Sequence, residues 1–208
     1  MKVIAITGRS GAGKSTLTAY YASLGYPVLD ADETARAVTT TDRDCLAALC
    51  EAFGGDILKS DGTLDRPALA AKAFASPAGA RMLTQITHPA IVRRLLKGVE
   101  EARTAGKPFV FVDGAVIVGE AFEPYCDSII VVRAPEREAL SRVMLRDGVS
   151  KQAVRDRLAA QLSDAELCAA ADYVIENTGD ERQLRAAGKA VLAQMLAKET
   201  NEKNKTTC

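Results

Sequence analysis

Short apolar runs alternate along this chain with longer stretches in which apolar residues recur every three or four positions. Residues 3–7 form the first run, and its β-branched side chains are typical of a buried parallel strand. Four further runs predict strands at residues 28–29, 109–112, 128–133 and 173–175. Because the strands alternate with helices, the pattern predicts an α/β fold, a parallel five-stranded sheet with helices on both faces.

The segments between the predicted strands indicate helices of unequal length. Residues 33–38, 45–53 and 66–105 all lie between the second and third strands. We expect the last of these to be interrupted at Ser76-Pro77 and His88-Pro89. This connection is longer than a crossover requires, so we interpret it as an inserted helical subdomain for a second ligand. The remaining helices are predicted at residues 14–24, 136–146, 151–170 and 182–198.

These elements predict one domain over residues 1–198. We expect the helical insertion at about 39–106 and a helical lid at about 148–170. Residues 199–208 are polar and are expected to form a disordered tail. The core then comprises the three remaining segments, residues 1–38, 107–147 and 171–198.

The composition is that of a globular protein without a charge bias. Hydrophobic residues make up 48% of the 208 positions, and 27 Lys and Arg balance 27 Asp and Glu. A general nucleic-acid binder needs excess positive charge, so nucleic acid is not an expected partner. The chain has no apolar run near the roughly 18 residues of a membrane span and no secretory signal, which favours a cytoplasmic protein without a membrane partner. Five scattered cysteines and one histidine argue against a zinc site or a disulfide framework.

A glycine-rich segment after the first strand matches the phosphate-loop pattern G-x-x-x-x-G-K-[ST] completely. It reads Gly8-Arg9-Ser10-Gly11-Ala12-Gly13-Lys14-Ser15 and opens a predicted helix, as the pattern requires. Glycines let backbone N–H groups surround a phosphate, and the helix N-terminus adds positive potential. Lys14 can reach the β- and γ-phosphates, and the Ser15 hydroxyl can bind Mg²⁺. We expect ATP to bind at Gly8, Gly11, Ala12, Gly13, Lys14, Ser15 and Thr16.

The chain has the size of a phosphate-loop kinase for small molecules. It lacks the Asn-Lys-x-Asp element that is typical of GTPases. Asp30 and Asp32 follow the second strand, where either carboxylate can accept the proton of an attacking hydroxyl. Asp30 and Glu33 also resemble a capping box. We therefore expect Asp30 to cap the next helix and Asp32 to face the acceptor as the catalytic carboxylate.

Basic residues are concentrated near the predicted lid. Arg142 and Arg146 stand four positions apart on one helix face, where guanidinium groups can stabilise the charge of a triphosphate. The alternative is a solvated face on which Arg142 pairs with Glu138. The helices joined at Asp147-Gly148 can close as a lid and exclude water. Asp113 ends the third strand, where it can hold Mg²⁺ or act as a cap or turn residue.

The order and spacing of motifs along the chain resemble those of the dephospho-coenzyme A kinase family, a group of P-loop NTPase-type kinases. The resemblance extends from Ile4 to about Gly179 and includes the phosphate loop. The later motifs are Asp30-Ala31-Asp32-Glu33-Thr34-Ala35-Arg36, Phe53-Gly54, Asp61-Gly62-Thr63-Leu64-Asp65-Arg66, Ile86-Thr87-His88-Pro89, Arg142-x-x-x-Arg146-Asp147-Gly148, Ala159-Ala160-Gln161 and residues 171–179.

The resemblance implies transfer of the γ-phosphoryl group of ATP to the ribose 3′-hydroxyl of dephospho-coenzyme A, the last step of coenzyme A synthesis. ATP and dephospho-coenzyme A are then the partners and Mg²⁺ the cofactor, and the protein is expected to be a monomer or a weak homo-oligomer. Asn177 lies where the family binds adenine. By the same resemblance, Asp32 is the catalytic aspartate, Arg36 and His88 bind the acceptor, and Arg142 and Arg146 are catalytic arginines of the lid. From the residues themselves we add Lys14 as a catalytic residue, Asp30 on the acceptor side, and Ser15 and Asp113 as metal-binding residues. Without the resemblance, His88-Pro89 only indicates a helix break.

Three features depart from the family's pattern, and one of them is the absence of a basic residue that is usual near Leu167 or Cys168. The stretch Gly114-Ala115-Val116-Ile117-Val118-Gly119 stands where the family commonly has a Pro-Leu-Leu-Phe-Glu-like segment, and the acid comes one residue late, at Glu120. In the phosphate loop, Arg9-Ser10 replaces a common Gly-Ile pair. These departures leave two alternatives, another small-molecule or nucleoside kinase on the same scaffold and a non-catalytic nucleotide-binding paralogue.

Overall fold

Five strands form a single sheet in the order β2-β3-β1-β4-β5. The computed structural model describes residues 1–114 and 117–206, so Ala115 and Val116 of the departing stretch and Thr207 and Cys208 lie outside the described residues. Strand β1 pairs in parallel with β3 and β4, and β4 pairs in parallel with β5. The predicted α/β fold is confirmed. The strands are β1 (Lys2–Thr7), β2 (Val28–Asp30), β3 (Phe109–Asp113), β4 (Ser128–Arg133) and β5 (Tyr173–Glu176).

Strands β1 and β3 are neighbours, but the connection that leaves β1 runs to β2 on one side and the connection that leaves β3 runs to β4 on the other. Open α/β sheets bind ligands beyond the carboxyl end of the strand at such a point. The phosphate loop directly follows β1. The helices are α1 (Lys14–Ser23), α2 (Ala31–Thr41), α3 (Arg43–Phe53), α4 (Arg66–Ala73), α5 (Pro77–Ala102), α6 (Glu136–Asp147), α7 (Lys151–Ala159), α8 (Asp164–Ala169) and α9 (Glu181–Thr206).

The first of two compact units contains the sheet and comprises residues 1–29 and the chain from Ala102 onward. A pair of stacked aromatic rings lies in its core, with the centroids of Tyr21 and Phe111 4.3 Å apart. The Tyr21 hydroxyl donates a hydrogen bond of 3.0 Å to the carbonyl of Gly188 in α9, and burial raises the pKa of Tyr21 well above its ordinary value. These contacts fix α1, and therefore the end of the phosphate loop, against the sheet.

The second unit is Asp30–Glu101, which is helical and has an apolar core of its own. Val38 of α2 is buried in that core together with Cys45 and Leu49 of α3. Because α2 presents its apolar face to this core, it belongs to the second unit, although the sequence analysis counted residues up to 38 with the sheet. The predicted interruption at Ser76-Pro77 is confirmed, since α4 ends at Ala73 and α5 begins at Pro77.

The predicted interruption at His88-Pro89 is wrong, because α5 continues through Pro89 to Ala102. A proline inside a helix removes one backbone hydrogen bond and costs about 3 kcal/mol. Burial of Ala90 and Leu95 on the same helix offsets that cost, with 4% and 2% of their surface exposed. Tertiary packing therefore overrides the local helix breaker.

The single helix predicted over residues 151–170 is two helices. Helix α7 ends at Ala159, and α8 begins at Asp164 after the N-cap residue Ser163, which forms a capping box with Glu166. Neither glycine nor proline marks the break between them. The sequence analysis missed the break for that reason.

Helix α9 extends to Thr206, beyond Lys198 where the sequence analysis placed its end. Lys2 forms ion pairs with Glu199, at 3.3 Å, and with Glu202, which hold the last turns beside β1. Residues 199–206 are therefore helical instead of a tail without structure. Over the described ranges, the structure has no helix that is both long and apolar enough to cross a membrane.

Candidate active site

The phosphate loop packs closely against two elements behind it. Gly11 has a φ of +81°, and a Cβ there would lie 2.4 Å from the carbonyl oxygen of Ala139 in α6. Gly13 has a φ of +105°, and a Cβ there would lie 2.3 Å from the Nδ2 atom of Asn177. Any other residue would be strained at both positions. These glycines are therefore required by the packing of the protein itself as well as by the approach of a phosphate.

Lys14 opens α1 and folds back over the loop. Its Nζ atom donates a hydrogen bond of 2.7 Å to the carbonyl of Gly8 and lies 3.5 Å from the carbonyl of Arg9. The ammonium group and the N-terminus of α1 are both positive. The structure thus places the predicted phosphate-binding lysine over a loop whose electrostatic field favours an anion.

Asp113 and Ser15 lie on either side of one threonine. In the register of the sheet, Asp113 at the end of β3 is opposite Ile6, two residues before the loop. The Thr18 hydroxyl lies 3.2 Å from the Ser15 carbonyl and 3.3 Å from Oδ2 of Asp113. The sequence analysis missed Thr18, because its role depends on the register of β1 and β3 and no motif marks it.

The residues at this point fit Mg²⁺ that arrives with a nucleotide. Hydroxyl and carboxylate oxygens are hard ligands of the kind that Mg²⁺ prefers. Residues 1–114 and 117–206 contain no group of three or more His, Cys, Asp or Glu that could hold a metal by itself. Kinases hold Mg²⁺ through one or two protein groups, the substrate phosphates and water. Ser15 and Asp113 can supply those protein groups.

The two lid arginines have different environments. Arg142 donates through Nη1 to the carbonyl of Gly11 at 3.2 Å, and its Nη2 lies 3.5 Å from the carbonyl of Gly179. Arg146 is exposed and forms two hydrogen bonds with Asp147, of 2.6 and 3.1 Å. Arg142 thus points toward the phosphate loop and is not part of a solvated face.

Asp147, at the end of α6, forms ion pairs that connect α6 to α7. Besides Arg146, it accepts a hydrogen bond of 2.6 Å from Arg157 on α7. The hydrogen bonds from Arg146 and Arg157 hold the pKa of Asp147 well below its ordinary value. The ion pairs therefore fix the turn between α6 and α7.

Asn177 supports the loop from the end of β5. Only 5% of its surface is exposed, and its Nδ2 atom donates a hydrogen bond of 2.7 Å to the carbonyl of Ala12. Its backbone N–H donates to the carbonyl of Arg133 at 2.7 Å. The predicted contact of Asn177 with adenine stays a prediction, whereas its contact with the loop is a structural role that the motif did not reveal.

In the second unit, the two aspartates have different positions on α2. Asp30 is its N-cap and accepts a hydrogen bond of 2.8 Å from the backbone N–H of Glu33, which confirms the predicted cap. Asp32 is exposed in the first turn, and Arg36 is exposed one turn later. Residues four apart lie on one helix face. Asp32 and Arg36 therefore share a solvent-facing side of α2.

A cavity of about 250 Å³ lies within the second unit. Its walls are mainly apolar, and Arg36 of α2 and Arg66 of α4 contribute guanidinium groups. Arg66 donates to the carbonyl of Arg36 at 2.8 Å and to the Thr40 hydroxyl at 3.1 Å, which ties α4 to α2. The half-buried His88 follows Thr87, which lines the same cavity. The cavity can thus receive a molecule with an apolar part and an anionic part.

Comparisons with known proteins agree with this description. A sequence profile of the dephospho-CoA kinase family matches residues 2–183. The chain belongs to the dephospho-CoA kinase family. A dephospho-CoA kinase from Anaeromyxobacter dehalogenans is 41% identical over 197 residues, which cover 94% of this chain and 92% of that protein.

Solved structures support the same membership. A dephospho-CoA kinase from Campylobacter jejuni is 27% identical, with a TM-score of 0.70 and coverage of 93% of this chain and 96% of that one. A crystal structure of a Thermus thermophilus protein is 38% identical, with a TM-score of 0.78 and coverage of 93% and 97%. As a member of the dephospho-CoA kinase family the chain is a kinase. The two remaining alternatives concern which acceptor it phosphorylates and whether it has kept catalytic activity.

Proposed function

We propose that this chain transfers the γ-phosphoryl group of ATP to the ribose 3′-hydroxyl of dephospho-CoA and releases CoA and ADP. The observation that carries the proposal is the complete phosphate loop with Lys14 folded over it, in a chain of the dephospho-CoA kinase family. The reaction is the last step of coenzyme A synthesis.

On the donor side, the loop residues Gly8, Gly11, Ala12 and Gly13 surround the phosphates of ATP, together with Ser15 and Thr16. Lys14 neutralises charge on the β- and γ-phosphates, and Arg142 stands against the loop at Gly11. Phosphoryl transfer has a loose transition state in which charge spreads over the phosphoryl oxygens. Fixed cations beside those oxygens lower the barrier because they need no reorganisation when the charge develops. When the lid closes, Arg146 breaks its ion pair with Asp147 and binds a phosphate of ATP instead.

On the acceptor side, Asp32 accepts the proton of the 3′-hydroxyl as the oxygen attacks the γ-phosphorus and the bond to the β-phosphate oxygen breaks. Asp32 is suited to this because its carboxylate is exposed in the first turn of α2, whereas that of Asp30 is engaged in capping. Arg36 and His88 bind the acceptor, and the cavity beside Arg36 offers apolar walls to its uncharged arm. Asp30 contributes by fixing the start of α2.

Ser15 and Asp113 would hold Mg²⁺, which would neutralise part of the charge on the phosphates of ATP. Thr18 orients the Asp113 carboxylate through the contact at 3.3 Å. A location in the cytoplasm, a monomeric or weakly associated state and the absence of nucleic-acid and membrane partners stay predictions.

The deciding experiment offers the purified chain ATP, Mg²⁺ and a panel of acceptors. The panel contains dephospho-CoA, 4′-phosphopantetheine, adenosine and shikimate, and ADP release is followed in each case. We expect rapid ADP release only when dephospho-CoA is the acceptor. The ³¹P NMR spectrum of the product should show its new phosphate on the ribose 3′-oxygen. Faster turnover with another acceptor would favour another small-molecule kinase. ADP release equal to that without enzyme, with ATP binding intact, would favour a non-catalytic paralogue.

A further inference from the structure

Two neighbouring residues of the phosphate loop hold the segment that ends lid helix α7. Arg9 donates through Nη2 to the carbonyl of Leu158 at 2.6 Å. The backbone N–H of Ser10 donates to Oε1 of Gln161 at 3.0 Å, and Nε2 of Gln161 donates to the Ser10 hydroxyl at 3.2 Å. Arg9 and Ser10 are the two loop positions that depart from the family's common Gly-Ile pair. The guanidinium and hydroxyl groups that make these contacts are therefore features of this chain.

The peptide group between Arg9 and Ser10 is held at both of its polar atoms. The N–H of Ser10 donates a hydrogen bond to Oε1 of Gln161. The carbonyl of Arg9 accepts a hydrogen bond of 3.1 Å from the backbone N–H of Ala12 and lies 3.5 Å from Nζ of Lys14. Because a peptide group is planar, the directions of its N–H and its C=O are fixed together. Gln161 therefore determines the direction of a carbonyl that Lys14 faces.

The contact of Arg9 is enclosed. Its Nε atom is buried and has no hydrogen-bond partner within residues 1–114 and 117–206. Leu158 lies in the last turn of α7, and its carbonyl also accepts a hydrogen bond of 3.2 Å from the backbone N–H of Gln161. Carbonyls at the end of a helix carry partial negative charge, so a guanidinium group is favourable there. A cavity of only about 10 Å³ is left among Arg9, Ser10 and Leu158 and the residues around them. The loop and the end of α7 are thus closely packed.

Helix α6, which precedes α7, is attached to the loop as well. Arg142 of α6 donates to the carbonyl of Gly11 at 3.2 Å, and Gly11 is in close contact with the backbone of Ala139. The pair α6–α7 is therefore fastened to the loop through both of its helices. A movement of α7 must act on the Arg9–Ser10 peptide and through it on the surroundings of Lys14.

We propose that Gln161 is a positioning residue that couples the lid to the phosphate loop, with Arg9 as a second anchor of the same segment. This inference rests on the proposed function, in which the loop binds ATP. Gln161 acts through the Arg9–Ser10 peptide and does not touch the substrates. Its loss loosens the orientation of the loop and weakens ATP binding, while acceptor binding stays unchanged.

The test compares Gln161→Met, which keeps the volume of the side chain and removes both hydrogen bonds, with Gln152→Ala. Gln152 is exposed on α7, and in the described part of the chain its side chain hydrogen-bonds only to Asp156, which makes it a matched control. The dissociation constant of ATP with Mg²⁺ is measured by calorimetry. We expect it to rise about 3–10-fold in Gln161→Met and less than twofold in the control, with an unchanged KM for the acceptor.

Combination with Arg9→Ala tests whether the two anchors act as one. We expect the effect of the double variant on the ATP dissociation constant to differ from the product of the single effects by about threefold or more, because both side chains hold the same segment. A dissociation constant within twofold of the wild type in Gln161→Met overturns the proposal. If Gln161→Met does not fold, Gln161→Ala, which also removes both hydrogen bonds, decides in its place, and an unchanged ATP dissociation constant there overturns the proposal equally. ATP binding needs no acceptor, so inactivity of the wild type toward dephospho-CoA contradicts only the proposed function.

Discussion

The side-chain amide of Asn177 donates a hydrogen bond of 2.7 Å to the carbonyl oxygen of Ala12, and thus joins the end of β5 to the phosphate loop at a buried point. A buried carbonyl that loses its donor bears the cost of its lost hydration. The contact therefore contributes both to folding and to the shape of the loop.

We expect Asn177→Ala to lower the free energy of unfolding by about 1–3 kcal/mol, because Ala12 then keeps an unpartnered buried carbonyl. The ATP dissociation constant should rise as well. Urea denaturation and calorimetry measure the two effects, with Gln183→Ala as a control on an exposed amide that bonds only to neighbouring Asp180 among the described residues. A change below about 0.5 kcal/mol would show that the contact has no energetic weight.

Asp32→Asn should lower kcat by about 10²–10⁴-fold and leave the KM for ATP nearly unchanged, because it removes the group that accepts the proton. Steady-state kinetics with dephospho-CoA measure this. Glu33→Gln, in the same exposed turn of α2, is the control for a general loss of negative charge and should keep kcat within a few fold.

The capping carboxylate should respond differently. Asp30→Ala removes the hydrogen bond to Glu33 and should lower the free energy of unfolding by about 0.5–2 kcal/mol, with a much smaller loss of kcat. Lys14→Ala should weaken ATP binding as well as turnover. If Asp30→Ala loses more kcat than Asp32→Asn, the catalytic carboxylate has been assigned to the wrong residue.

Asp113→Asn should raise the Mg²⁺ concentration that gives half-maximal activity, because an amide is a weaker ligand than a carboxylate. Thr18→Val is isosteric and removes the hydroxyl that faces Asp113 at 3.3 Å, so it should raise the same concentration about tenfold. The measurement is a Mg²⁺ titration of activity at saturating ATP. Superimposable titrations of the wild type and Asp113→Asn would exclude a metal role for this residue.

Asp147 provides a prediction about pH. Its pKa is lowered in the folded chain by Arg146 and Arg157, so its contribution to stability is complete above the unfolded pKa of about 3.9 and is lost as the pH falls through the lowered folded value. Asp147→Asn should therefore have a lower Tm than the wild type at pH 7, and the difference should narrow toward pH 3. A difference in Tm that is constant between pH 7 and pH 3 would contradict the pairing.

The sheet and the phosphate loop could be predicted because their signals are local. Apolar runs mark the strands, and the motif from Gly8 to Ser15 specifies both a turn and an anion site. The cap at Asp30 was predictable for the same reason. The position of Thr18 was not, because Thr18 and Asp113 are 95 positions apart and the register of β1 and β3 that brings them together is not a local signal.

Equal spacing did not predict equal roles for the lid arginines. Arg142 and Arg146 stand on one helix face, yet only Arg142 has loop carbonyls within reach, because the partner of Arg146 is the adjacent Asp147. Pro89 was misleading in another way, since a local preference against helix is smaller than the burial available to the rest of α5. In both cases the outcome depends on distant partners that local patterns do not contain.

The partners that shape the phosphate loop stand far along the chain from it. Arg142 is 131 residues from Gly11, Gln161 is 151 residues from Ser10, and Asn177 is 165 residues from Ala12. Contacts of such sequence separation form late in folding, since long loops must close first. During synthesis, the motif emerges more than a hundred residues before these supports, and it acquires all of them only after β5 and Asn177 have been made. A chain that ends before β5 therefore contains the complete nucleotide-binding signature without the contacts that complete the nucleotide-binding site.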